Sequence, residues 1–66
     1  MRGTANETLA RIKRSDTPIA VFRVENGIYE SYWADTVETR RRMKVDPMYV
    51  GTFSKDATVR AILNIR

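Results

Sequence analysis

Apolar residues follow two patterns along this chain, and the two predict different elements. Between Ala5 and Arg14 they fall at Ala5, Leu9 and Ile12, the spacing of one helix face. Thr4 and Glu7 form the Thr-x-x-Glu pair in which each side chain satisfies a backbone N–H at a helix start. Arg11, Lys13 and Arg14 favour the negative end of the helix dipole, and Asp16-Thr17-Pro18 then stops the helix. A first helix is predicted over Ala5–Arg14.

The second pattern is a run of β-branched and aromatic residues, Ile19 to Val24 and again Ile28 to Trp33, interrupted by Asn26-Gly27. That dipeptide is the strongest short-range signal for a two-residue hairpin turn. Such a turn predicts Glu25 opposite Ile28, Val24 opposite Tyr29, Arg23 opposite Glu30, Phe22 opposite Ser31, Val21 opposite Tyr32 and Ala20 opposite Trp33. In this register Ala20, Phe22, Val24, Tyr29 and Trp33 share the face assigned to the core. Ile19, Val21, Ile28 and Tyr32, with the complementary pair Arg23 and Glu30, share the other, which is read as a half-exposed contact surface and a source of self-association.

Asp35 and Glu38 give a second helix-start signal, and Thr36 to Lys44 holds good helix formers until Asp46-Pro47. Only Val37, Met43 and Val45 are apolar there, so this helix belongs on the surface. Met48 to Phe53 reads as a third strand, with Gly51 marking a bulge or a close backbone approach. Two readings stay open beyond it. Ser54 is placed to cap a helix over Lys55–Ile65, whereas Val59, Ala61, Leu63 and Ile65 alternate with Arg60, Ile62, Asn64 and Arg66 as in a strand. The helix is favoured, which gives the order α-β-β-α-β-α. The expected fold is α+β: a small antiparallel sheet of three strands, or four with the C-terminal segment, built on the hairpin at Ile19–Trp33 with helices packed on one face.

Length changes this picture in one respect. Sixty-six residues make a single domain, 1–66, taken as a whole small protein, and a chain this short buries only about 60% of its unfolded surface. With no Cys and no His, neither a disulfide nor the common metal sites can staple it, which makes a homo-oligomer an expected partner state. The lack of cysteine suits a reducing cytoplasm, and no apolar run is long enough for a membrane span or a signal peptide.

The same two absences remove the commonest general base, metal ligand and thiol nucleophile. The eight carboxylates sit mostly at predicted caps and turns, and three isolated glycines cannot form a phosphate-cradling loop. The expectation is a non-enzymatic protein with no catalytic residue, cofactor, metal or small-molecule substrate. Gly27-Ile28-Tyr29 matches the first letters of a nuclease signature whose second half is missing, and Asn6-Glu7-Thr8 is an acceptor sequon inside a predicted helix. Neither carries an assignment.

Charge adds the one positive signal. Twelve Lys and Arg stand against eight Asp and Glu, a net +4. Arg40, Arg41, Arg42 and Lys44 concentrate four of those cations in five residues, too wide an arc for one solvated stripe. Guanidinium forks bind phosphates or carboxylates, so the candidate partner-binding residues are Arg40, Arg41, Arg42 and Lys44, joined by Arg23 and Tyr32 on the half-exposed hairpin face. A competing reading has the cluster's long stems lying over apolar neighbours and pairing with Asp35, Glu38 or Asp46. Two functions follow. One is a small basic module contacting nucleic acid through Arg40–Lys44, by phosphates rather than bases, since no helix-turn-helix, zinc finger, RNP motif or GXXG loop is present. The alternative is a small regulator or inhibitor, of the kind phages and mobile elements encode, docking on an acidic surface of a larger protein or ribonucleoprotein.

Overall fold

A computed structural model describes residues 1–63 and shows an α+β fold with a four-stranded antiparallel sheet. Its elements in chain order are β1 (Arg2–Gly3), α1 (Ala5–Arg14), β2 (Ile19–Glu25), β3 (Ile28–Trp33), α2 (Val37–Val45), β4 (Tyr49–Phe53) and α3 (Val59–Leu63). The sheet order is β1-β3-β2-β4, so the hairpin forms its centre. The fourth strand comes from the N-terminus. Arg2 and Gly3 pair with Glu30 and Tyr29, a two-residue element too short to leave a periodic trace in the sequence.

α1 matches its predicted span, and its capping box is complete: Glu7 N–H donates to Thr4 Oγ1 at 3.3 Å and Thr4 N–H to Glu7 Oε1 at 2.9 Å. α2 starts one residue later than predicted, because Thr36 and not Asp35 accepts the first-turn N–H, that of Thr39. The C-terminal segment is helical. It starts later than expected, since Ser54 closes a turn through its carbonyl with Ala57 N–H, and Thr58 Oγ1 accepts from Ala61 N–H at the helix start. The rest of the helix expected to reach Ile65 lies outside the described residues.

The turn at Asn26-Gly27 forms as predicted, with Glu25 opposite Ile28 and Gly27 at φ 76°, a conformation that side chains disfavour. Beyond it the predicted register fails. Val24 is an extra residue in β2, so Arg23 faces Tyr29, Phe22 faces Glu30, Val21 faces Ser31, Ala20 faces Tyr32 and Ile19 faces Trp33. A one-residue slip exchanges the faces of the two strands relative to each other. Arg23 and Glu30 therefore point to opposite sides of the sheet. A second bulge, at Val50 in β4, lets Val21 face Gly51 while Phe22 faces Tyr49. The expected irregularity at Gly51 is there, one residue earlier, and the Phe53 ring lies where a Gly51 side chain would be, 3.3 Å from an added Cβ.

The core is consequently on the other side of β2 from the predicted one. Ile19, Val21 and Tyr29 pack with Ile12 of α1 and Ile62 of α3, and Ala57, ahead of α3, belongs to the same cluster. Each fully buried side chain of this size contributes about 1.5–3 kcal/mol, so these five large residues dominate the stability. Val21, assigned to an exposed patch, is wholly buried, while Ile28 and Tyr32 of that patch are half-buried. Trp33, assigned to the core, is 57% exposed. The helices do not all share a face, either. α1 and α3 cover the core side, whereas α2 lies across the opposite side over Phe22.

Candidate functional site

Phe22 explains how α2 is held. Its ring points away from the Ile19–Val21 core by strand alternation and is nonetheless fully buried. Tyr32 and Tyr49 flank it, with ring centroids 6.2 and 5.5 Å away and tilted. The lid is Arg42, whose guanidinium carbon sits 4.1 Å from the Phe22 centroid and 5.6 Å from that of Tyr32. A cation over an aromatic face contributes about 0.5–2 kcal/mol, more as water is excluded.

Two carboxylates fix the guanidinium edge-on. Arg42 Nε donates to Asp46 Oδ2 at 2.8 Å, an i,i+4 pair across the end of α2. Arg42 Nη1 donates to Glu30 Oε1 at 3.1 Å, and the Tyr32 hydroxyl donates to that same oxygen at 2.8 Å. The Tyr32 bond first, and the Arg42 contacts after it, hold the Glu30 carboxyl below its usual range against the opposing effect of burial. Asp46 is lowered by Arg42 and by the backbone N–H of Met48. Tyr32 is raised, chiefly because its proton is bonded to Glu30. Arg2 extends the network at the sheet edge, 2.6 Å from Glu25 and 3.9 Å from Glu30.

The six residues singled out in the sequence thus do not form one surface. Arg42 is turned inward and committed to Phe22, Glu30 and Asp46, as the competing reading of the cluster has it for this one residue. Tyr32 lies half-buried beneath α2, lining a shallow hollow of 130 Å³ with Glu38, Thr39 and Arg42. Arg23 is exposed on the α1 side near the hairpin turn, bonded to Asn26 Oδ1 at 2.8 Å, and shares no surface with α2.

Arg40, Arg41 and Lys44 remain together. At about 100° per residue they are separated from Arg42 by roughly 160°, 100° and 160° around the helix, on its outward side. All three are exposed, and among the described residues none pairs with a carboxylate. Val37 and Val45, 66% and 74% exposed, flank them on the same side. The outward face of α2 is a short cationic strip bordered by two valines.

A further cationic region was read in the sequence only as a helix terminus. Arg11 and Arg14 project from the last turn of α1 beside Trp33, and with Met1, Ser15 and Ile19 they line a 250 Å³ groove at the end of β3. Arginines at i and i+3 were a usable signal, but Trp33 was assigned to the core and not to the exposed rim where it stands beside them. No family model, curated protein or solved structure matches the chain. Among the described residues no helix is long and apolar enough to cross a membrane.

Proposed function

We propose that this protein is a small non-enzymatic module that binds nucleic acid through the phosphate backbone, using Arg40, Arg41 and Lys44. The observation that carries this reading is the sorting of the basic cluster on α2. One arginine is consumed in holding the helix to the sheet, while the other three cations face solvent with no carboxylate partner among the described residues. Like charges so close on a helix repel one another, and phosphates relieve that repulsion while releasing condensed counterions. The cysteine-free composition suits a reducing cytoplasm as the place where this happens.

With three contacts, duplex affinity should fall roughly 40-fold between about 50 and 200 mM salt, from a slope of about −0.9 per contact. Replacing Arg40, Arg41 and Lys44 together by Gln should abolish binding to mixed-sequence duplexes and leave the thermal midpoint unchanged. Undetectable binding by the unaltered protein at about 100 µM in low salt contradicts the proposal, since nonspecific phosphate affinity alone lies in or below that range.

The two exposed valines support a second reading, a regulator docking on an acidic protein surface. Apolar contacts beside a charged strip suit a desolvated protein interface better than a phosphate backbone. In that case salt would act mainly on the association rate, and Val37→Ala with Val45→Ala would weaken binding as much as loss of the cations.

A further inference from the structure

The groove between α1 and the end of β3 has a chemistry that the α2 strip lacks. Trp33 is the only tryptophan in the chain, and it stands at the last position of β3, beyond the stretch covered by β1, with more than half its surface in water. In so small a domain, leaving the largest apolar side chain exposed forfeits burial that the fold could use. Beside it stand two guanidinium groups. Arg11 and Arg14 are one helical turn apart, and neither pairs with a carboxylate among the described residues.

Their donors are also only partly used. Arg14 spends its Nε on the carbonyl of Ala10, which leaves the outer nitrogens available. Arg11 Nη1 reaches only the weak acceptor Met1 Sδ at 3.6 Å, and its buried Nε has no partner. The lining includes no acidic residue. Two cations with unspent donors beside an indole face match a ligand that is both anionic and planar.

Size narrows the class. At 250 Å³ the groove is below the usual range of about 300–1,000 Å³ for small-molecule pockets, and it opens broadly to solvent. That suits a single unit of a longer chain better than a free cofactor. We infer that this groove takes one nucleotide of a single-stranded nucleic acid, its base stacked on Trp33 and its phosphate held by Arg11 and Arg14. The inference rests on the nucleic-acid reading above and adds strand type to it. A base paired within a duplex has no free face to offer the indole, whereas an unpaired one does.

A lone tryptophan in the groove makes the test direct. The unaltered 66-residue protein is titrated in low salt with mixed-sequence eight-nucleotide DNA and RNA single strands, the corresponding duplex, and inorganic polyphosphate, with Trp33 fluorescence as readout. Single strands should quench Trp33, while duplex and polyphosphate should bind without comparable quenching. Arg14→Gln, an exposed position that keeps the helix, should weaken single-strand binding about tenfold, as loss of a charge-assisted bond does. Anisotropy of labelled strands should show Trp33→Ala weakened and Trp33→Phe largely retained, because phenylalanine still stacks. Equal quenching by the duplex overturns the inference. Single-strand binding that leaves Trp33 unchanged, ignores Arg14→Gln and depends on Arg40, Arg41 and Lys44 also overturns it, and leaves the α2 reading standing. Quenching that survives the α2 substitutions and is lost in Arg14→Gln supports the groove and removes α2 as the binding face. Absence of binding to every probe overturns both.

Discussion

The two faces of the sheet are held by different physics. On one, α1 and α3 cover Ile19, Val21 and Tyr29 with Ile12 and Ile62, and stability comes from apolar area removed from water. On the other, α2 turns inward little beyond the buried Thr39 and the half-buried Met43, and Arg42 attaches it by stacking on Phe22 and pairing with Glu30. Burial is spread over many contacts and tolerates solvent change. A polar attachment concentrated in one side chain depends on that residue and on pH. The difference leaves the outward face of α2 free to carry charge, because folding requires nothing apolar of it.

The largest effect should come from the apolar face. Ile12→Ala should cost about 2–5 kcal/mol, against a total of roughly 3–10 kcal/mol for a chain of this length, so its midpoint in chemical denaturation should fall sharply. A loss below about 1 kcal/mol would mean that α1 is not seated as described.

Arg42→Gln should come next, at about 1–3 kcal/mol, because it leaves Glu30 in a half-buried network without its cation. The loss should be local. Hydrogen exchange should rise across Val37–Val45 while Val21 and Tyr29 stay protected, and Arg42→Lys should not restore protection, since an ammonium lacks the planar fork. Uniform loss of protection would show that the two faces are not separable.

A smaller effect should appear with pH. Glu30 and Asp46 bind protons more weakly folded than unfolded, so what they contribute is full above about pH 5 and is lost as pH falls below about 4. Tyr32 has the opposite sign. Its raised pKa means that its contribution is full below the usual phenol value near about 10 and is lost as pH climbs beyond it. The denaturation midpoint should therefore decline on both sides of a neutral plateau, and Arg42→Gln should flatten the acid limb. An acid limb unchanged in that variant would place the titrating groups elsewhere.

How much of this was legible in the sequence follows the same division. α1, with its capping box and its stop, rests on local chemistry and formed as read. The hairpin turn did too, since Asn26-Gly27 needs no tertiary partner. What local pattern could not decide was the register, because Ile19-Ala20-Val21-Phe22 is apolar at every position and suits either face. That unbroken run was itself a sign that both sides of β2 are covered, and the extra residue at Val24 is chosen by the packing on each side. The basic cluster was visible as a cluster, but its sorting was not. Asp46 four residues after Arg42 was the available sign of an inward partner, and it became decisive only once Phe22 lay beneath the helix.

Arg42 holds α2 to the sheet, and the proposed nucleic-acid contacts belong to Arg40, Arg41 and Lys44. Thermal midpoint and affinity for mixed-sequence duplex, measured together for Arg42→Gln and for the Arg40, Arg41 and Lys44 triple substitution to Gln, separate the two roles. The midpoint should fall in the first, and in the second it should stay unchanged with duplex binding lost. A triple variant that unfolds, or an Arg42→Gln variant as stable as the original protein, would contradict this division of roles.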